Sequence, residues 1–147
     1  MTTWSPDFLA GYETCDLELP GVLPAPGEPA DVELVATLIR KASNTGSRPA
    51  VLYLHGWNDY FFQTHLADYL GDIGYDFFAL DLRRYGRSLR RGHLRGFITD
   101  LDDYALELDD AVELIMEEHD QIVLMGHSTG GLIAALWASQ NLSLIHI

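Results

Sequence analysis

The chain has 147 residues, enough for one ordinary domain, and a hydrophobic fraction of 48% that marks a folded globular protein rather than a disordered one. A formal net charge of −13 argues against a nucleic-acid partner, because phosphate binding needs clustered Lys and Arg. The N-terminus MTTWSPDFLAGYE has no basic segment leading into an apolar one, and no apolar run reaches the roughly 18 residues of a membrane span, so a cytoplasmic protein without a transmembrane segment is expected. The one cysteine, Cys15, offers neither an internal disulfide nor a metal-ligand spacing.

In chain order, YETCDLEL (12–19) and DVELVATLIR (31–40) alternate apolar and polar residues, the pattern of strands with one exposed face, and are separated by the Pro- and Gly-rich PGVLPAPGEPA. PAVLYLH (49–55) is instead continuously apolar, as in a parallel strand buried on both faces. Phe61, Leu66, Tyr69, Leu70 and Ile73 recur near helical spacing up to Gly74, and YDFFALD (75–81) reads as a second buried strand. Thr99 or Asp100 is positioned to cap a helix over 101–119, whose stripe is Leu101, Tyr104, Leu108, Ala111, Val112 and Ile115. QIVLMGH (121–127) is a third buried strand and GLIAALWASQ (131–140) a third helix. Alternating strands and helices from residue 49 predict an α/β fold whose ligands sit at the carboxyl ends of the strands, in the loops beginning at His55, Asp81 and His127.

Charge is uneven: residues 83–95, RRYGRSLRRGHLR, carry six arginines, and no Lys or Arg follows. This loop is expected to be solvated and to pair with the acidic helix after it, or to meet an anionic group of a substrate. His65, His93 and His119 are expected at the surface, and no His pair has metal-ligand spacing.

Gly126-His127-Ser128-Thr129-Gly130-Gly131 matches G-x-S-x-G between a buried strand and an apolar helix. The glycines let the chain reverse sharply with the serine at the apex, and the helix start behind it offers N–H groups to a developing oxyanion. The same stretch lacks G-x-G-x-x-G and G-K-[ST], so dinucleotide and P-loop chemistry are unsupported.

Together with His55-Gly56-Trp57 and Asp81-x-Arg83-x-x-Gly86-x-Ser88, in the same order and at matching distances, this motif resembles the α/β-hydrolase family over roughly residues 30–141. Within it the chain is similar to the branch of monoacylglycerol lipases, lysophospholipases and serine aminopeptidases. The resemblance implies an α/β-hydrolase fold, a mostly parallel sheet with helices on both faces, incomplete in this N-terminal portion. It also implies Ser128 as nucleophile, the backbone N–H groups of Trp57 and Thr129 as the oxyanion hole, and His55 as a turn-shaping residue rather than the base. The expected reaction is cofactor-free hydrolysis of a small-molecule or lipid ester through an acyl-enzyme. An amidase or aminopeptidase, and a non-catalytic binding protein of the same fold, are the alternatives.

After Ser128 the sequence has no Asp or Glu, and its only later histidine is His146. The triad acid and base are therefore expected to be absent from this chain. LSLIHI (142–147) reads as translated adapter DNA, so residues 1–141 are expected to form the N-terminal part of a single domain and 142–147 a non-native tail.

Overall fold

The computed structural model describes residues 2–144. Six strands, β1 (Ser5–Pro6), β2 (Tyr12–Glu18), β3 (Val35–Lys41), β4 (Ala50–Leu54), β5 (Asp76–Asp81) and β6 (Ile122–Gly126), form one sheet in the order β1-β2-β3-β5-β4-β6. The sheet is mixed. β4 pairs in parallel with β5 and with β6, whereas β1–β2, β2–β3 and β3–β5 are antiparallel. The parallel part is the part linked by helical crossovers, α1 (Thr64–Asp72) between β4 and β5 and α2 (Ala105–Met116) between β5 and β6, with α3 (Thr129–Gln140) after β6.

The period-2 alternation of side chains sorts β4 and β5 into two cores. Ala50, Leu52, Leu54, Phe78 and Leu80 face α2 and α3, together with Leu108, Ala111, Ile115, Ile133 and Trp137. Val51, Tyr53, Phe77 and Ala79 face α1, together with Phe61, Ala67 and Leu70. Every residue of both strands is buried, as the apolar runs Ala50–Leu54 and Phe77–Leu80 predict; the buried β5 also includes Asp76 and Asp81 at its ends.

Several expectations are corrected. β6 is not buried on both faces: Val123 is 44% exposed, because β4 is the strand's only sheet neighbour among the described residues. The α1 stripe narrows to Ala67 and Leu70, while Tyr69 and Ile73 point outward and Phe61 enters the core ahead of the helix. His119 is buried; its Nε2 bonds Asp76 Oδ2 at 2.9 Å and its Nδ1 the Ile115 carbonyl at 3.0 Å, tying the end of α2 to the start of β5. Helical spacing over 101–119 also conceals a break, since residues Leu101–Tyr104 form a 3-10 turn before α2, capped by Asp100, which accepts the Asp102 N–H at 2.9 Å. The two-residue β1 has no pattern from which it could be read. Leu142–Leu144 add a 3-10 turn; residues 145–147, including His146, lie outside the described residues.

The start of the arginine-rich loop is buried while its end, including Arg91 and Arg95, is exposed, and among the described residues only one of its arginines pairs with an acidic residue of the following helix. Arg83 binds Glu107 of α2, whereas Arg84 binds Glu28 at 2.7 Å, Arg87 binds Asp7 at 2.8 Å and Asp81 at 2.9 Å, and Arg90 binds Asp16 at 2.6 Å. The loop thus ties Asp7, Asp16 of β2 and Glu28 to the segment that follows β5. Deleting one partner of the buried pairs of Arg83, Arg84 or Arg87 costs about 3–5 kcal/mol, because the other charge stays buried; the exposed Arg90–Asp16 pair is worth far less.

The Arg84 guanidinium hydrogen-bonds Glu28 and, with burial opposing and the Ala25 and Leu94 N–H groups adding, holds its carboxyl down at about 2, against an ordinary 4.5. As pH falls the unfolded chain takes up this proton first, so the group's contribution is full above the ordinary range and is lost between about pH 4.5 and 2. Glu28→Gln is expected to lower stability at pH 7 by about 3 kcal/mol and to flatten its fall across that window. Urea unfolding at a series of pH values checks this; curves parallel to wild type would contradict it.

Candidate active site

The carboxyl ends of β4, β5 and β6 bring the three sequence motifs together. Beyond β6 the chain reverses at Ser128, whose φ of 54° and ψ of −118° place a non-glycine residue in the sparsely populated left-handed half of backbone space. Such a conformation persists only where its surroundings over-determine it, and here they do. The Gly130 N–H donates to the His127 carbonyl at 2.9 Å and the Gly131 N–H to that of Ser128 at 2.9 Å, while the His127 N–H reaches across to the Leu54 carbonyl at 3.0 Å. A Cβ on Gly126 would strike the backbone of Gly130 and Gly131, and one on Gly130 would strike the carbonyl oxygens of Leu54 and His55. The elbow is therefore wedged against the end of β4. The Ser128 side chain is exposed and at the N-terminus of α3, an apolar 12-residue helix.

The turn after β4 lies directly against it: a Cβ on Gly56 would come 3.4 Å from the Ser128 Cβ and 3.0 Å from His127 Nδ1. Both nitrogens of buried His55 are engaged. Its Nε2 accepts the Leu82 N–H at 3.1 Å, so the ring proton resides on Nδ1, which donates to the Gly56 carbonyl at 2.8 Å. His55 thereby shapes the turn and joins it to the loop after β5. The N–H groups of Trp57 and Thr129 form no hydrogen bond among the described residues, and both residues line one small apolar cavity of about 20 Å³ with Tyr85, Leu101, Tyr104 and Ile133. Unpaired backbone donors are groups able to hold an oxygen that bears negative charge. Tyr85 packs its ring against His55 (4.8 Å) and Trp57 (6.3 Å), and burial pushes its phenol up, which keeps it protonated.

The D-x-R-x-x-G-x-S segment supports this arrangement from beneath. Asp81 accepts the Phe61 N–H at 2.9 Å and the Arg87 N–H at 3.0 Å. Arg83 Nε donates to Glu107 at 2.8 Å, and Ser88 Oγ donates to the Asp81 carbonyl at 2.6 Å while accepting the Thr37 N–H at 2.9 Å. Gly86 has φ 47°, and a Cβ there would lie 2.5 Å from Asp81 Oδ2. Asp81 therefore bonds backbone and arginine rather than any group beside Ser128. Glu107, Glu28 and Asp7, which complete these contacts, carry no local sequence signal, because their partners are 24 to 80 residues away.

A cavity of about 670 Å³ shares no residue with this site; it lies between β2 and α2, and Asp16, Glu18, Asp110, Glu113 and Glu117 are among its lining residues. Among the described residues no group of three His, Cys, Asp or Glu could hold a metal, and no helix is long and apolar enough to cross a membrane.

The family model for serine aminopeptidase, S33, matches residues 45–146. The chain belongs to that family. Solved structures similar to this S33 chain include a thioesterase domain from the curacin biosynthetic pathway, 26% identical with a TM-score of 0.65, over 91% of this chain and 41% of that one. Est1E from Butyrivibrio proteoclasticus, solved with ferulic acid, is 21% identical with a TM-score of 0.58, over 77% and 46%. An epoxide hydrolase from an endophytic Streptomyces is 22% identical with a TM-score of 0.62, over 93% and 36%. These likenesses establish the α/β-hydrolase fold. The S33 chain spans less than half the length of each.

The elbow makes a paired prediction. Gly130→Ala is expected to cost about 3 kcal/mol, the upper range of overpacking, whereas Gly131→Ala, whose Cβ would lie 3.5 Å from its nearest neighbour within a helix, is expected to be neutral or stabilising by up to about 1 kcal/mol. Urea melts of the two variants measure the difference; equal stabilities would show that the elbow is not wedged against β4.

Proposed function

We propose that this chain is the N-terminal portion of a serine hydrolase that cleaves carboxylic esters through an acyl-enzyme on Ser128. The observation that carries the reading is the strained, exposed Ser128 beside two unpaired backbone donors. In the proposed reaction the Ser128 Oγ attacks the ester carbonyl carbon as its proton passes to a base. The carbonyl oxygen takes the negative charge and is held by the Trp57 and Thr129 N–H groups, and collapse expels the alcohol. Water then attacks the acyl carbon and releases the acid, restoring the serine. Loss of a single oxyanion donor typically costs about 10²–10³ in kcat.

His55 does not serve as the base, since one nitrogen is occupied as an acceptor and the other as a donor. With no Asp or Glu after Ser128 in the sequence, the reading assigns the base and its orienting acid to residues outside 1–141; the similar solved structures are longer than this chain. Peptide or amide cleavage is the second reading, favoured by the description of the matched family. It differs in protonation of the leaving nitrogen, not in the elbow.

The test is fluorophosphonate labelling of the complete enzyme alongside Ser128→Ala. Labelling and ester turnover are expected in wild type, with both lost in the variant by at least about 10⁴-fold in kcat. Folded wild-type protein that does not label, or a variant that still turns over ester, would overturn the proposal.

A further inference from the structure

The turn that carries Trp57 is pegged at both ends to the loop after β5. At its start His55 holds the Leu82 N–H; at its end the Phe61 N–H donates to Asp81 Oδ1 at 2.9 Å, and the Phe61 carbonyl accepts from Arg87 Nη1 at 2.9 Å. Between the pegs Asn58 sits at φ 52°, in the left-handed region that Asn tolerates better than most residues.

The second peg depends on the N-terminus. Arg87 Nε donates to Asp7 Oδ1 and Nη2 to Asp7 Oδ2, both at 2.8 Å, which leaves Nη1 for Asp81 Oδ2 at 2.9 Å and for Phe61. The side chains of Arg87, Asp7 and Asp81 are 8%, 4% and 0% exposed, and the Phe8 ring lies 4.5 Å from the guanidinium. A two-point fork fixes a planar guanidinium in orientation as well as in place. Without the Asp7 fork, the guanidinium is free to rotate its fork onto Asp81, and the Phe61 carbonyl loses its donor. Asp7 also precedes the segment matched by the family model, residues 45–146.

We propose that Asp7 is a positioning residue for the Trp57 oxyanion donor, acting through Arg87 and the peptide groups of Phe61. The inference rests on the assignment of Ser128 and Trp57 given above. Asp7 touches no reacting atom; it sets where the far end of the turn lies, and a displacement near 1 Å at an oxyanion donor is enough to lower kcat by up to about 100-fold.

The experiment compares Asp7→Asn, Asp7→Glu, Lys41→Gln and Ser128→Ala with wild type in the complete enzyme, on a p-nitrophenyl ester well below every melting midpoint. Lys41→Gln removes the surface pair with Asp68 and serves as the control for loss of an ion pair. The expected result is a kcat lower by about tenfold in Asp7→Asn and by less in Asp7→Glu, at a KM within about twofold of wild type, with Lys41→Gln unchanged. A clamp that only stabilises the fold would lower the melting temperature and leave kcat alone. Unchanged kcat in either folded Asp7 variant, or a loss confined to KM, overturns the inference. Turnover by Ser128→Ala would instead remove the reading on which it rests, so the two failures are distinguishable.

Discussion

The site depends on one close approach, that of the first turn of α3 to the end of β4. Gly130 lies so near the carbonyls of Leu54 and His55 that no side chain fits between them, and Gly126 is equally close to Gly130 and Gly131. This contact forces the reversal at Ser128, holds its backbone in the left-handed region and brings Thr129 and Trp57 to one cavity. Close packing elsewhere in the two cores makes the carboxyl ends of the strands a rigid base for it.

A second constraint is electrostatic. With 22 acidic residues and nine basic ones, most carboxylates have no cation available, yet the loop after β5 concentrates its arginines on acidic residues drawn from distant segments. Asp7, Glu28 and Glu107 are each almost wholly removed from solvent by these contacts. Buried pairs of this kind fix geometry more dependably than they add stability. Their place here, directly beneath the turns at His55 and Phe61, connects the N-terminal hairpin to the site.

The parallel strands and the elbow are legible in the sequence because each is set by local rules: apolar runs at the centre of β4 and β5, glycines on either side of Ser128 for the reversal. Long-range pairing was not visible. Six arginines in thirteen residues looked like a solvated loop, since charge alone does not disclose that Glu28, Asp7 and Asp16 fold back to meet them. The burial of His119 is hidden for the same reason, its partner Asp76 lying 43 residues earlier. The partial exposure of β6 reflects what flanks the strand, which its own apolar residues do not encode.

The wedged elbow and the unpaired donors support the proposed account, in which this segment supplies the nucleophile and the oxyanion hole of a serine hydrolase. The most direct test is a crystal structure of the complete enzyme after reaction with an alkyl phosphonate ester. The account predicts phosphorus bonded to Ser128 Oγ, with the phosphoryl oxygen within hydrogen-bond distance of the Trp57 and Thr129 N–H groups. An adduct on another residue, or a phosphoryl oxygen turned away from both donors, would contradict it.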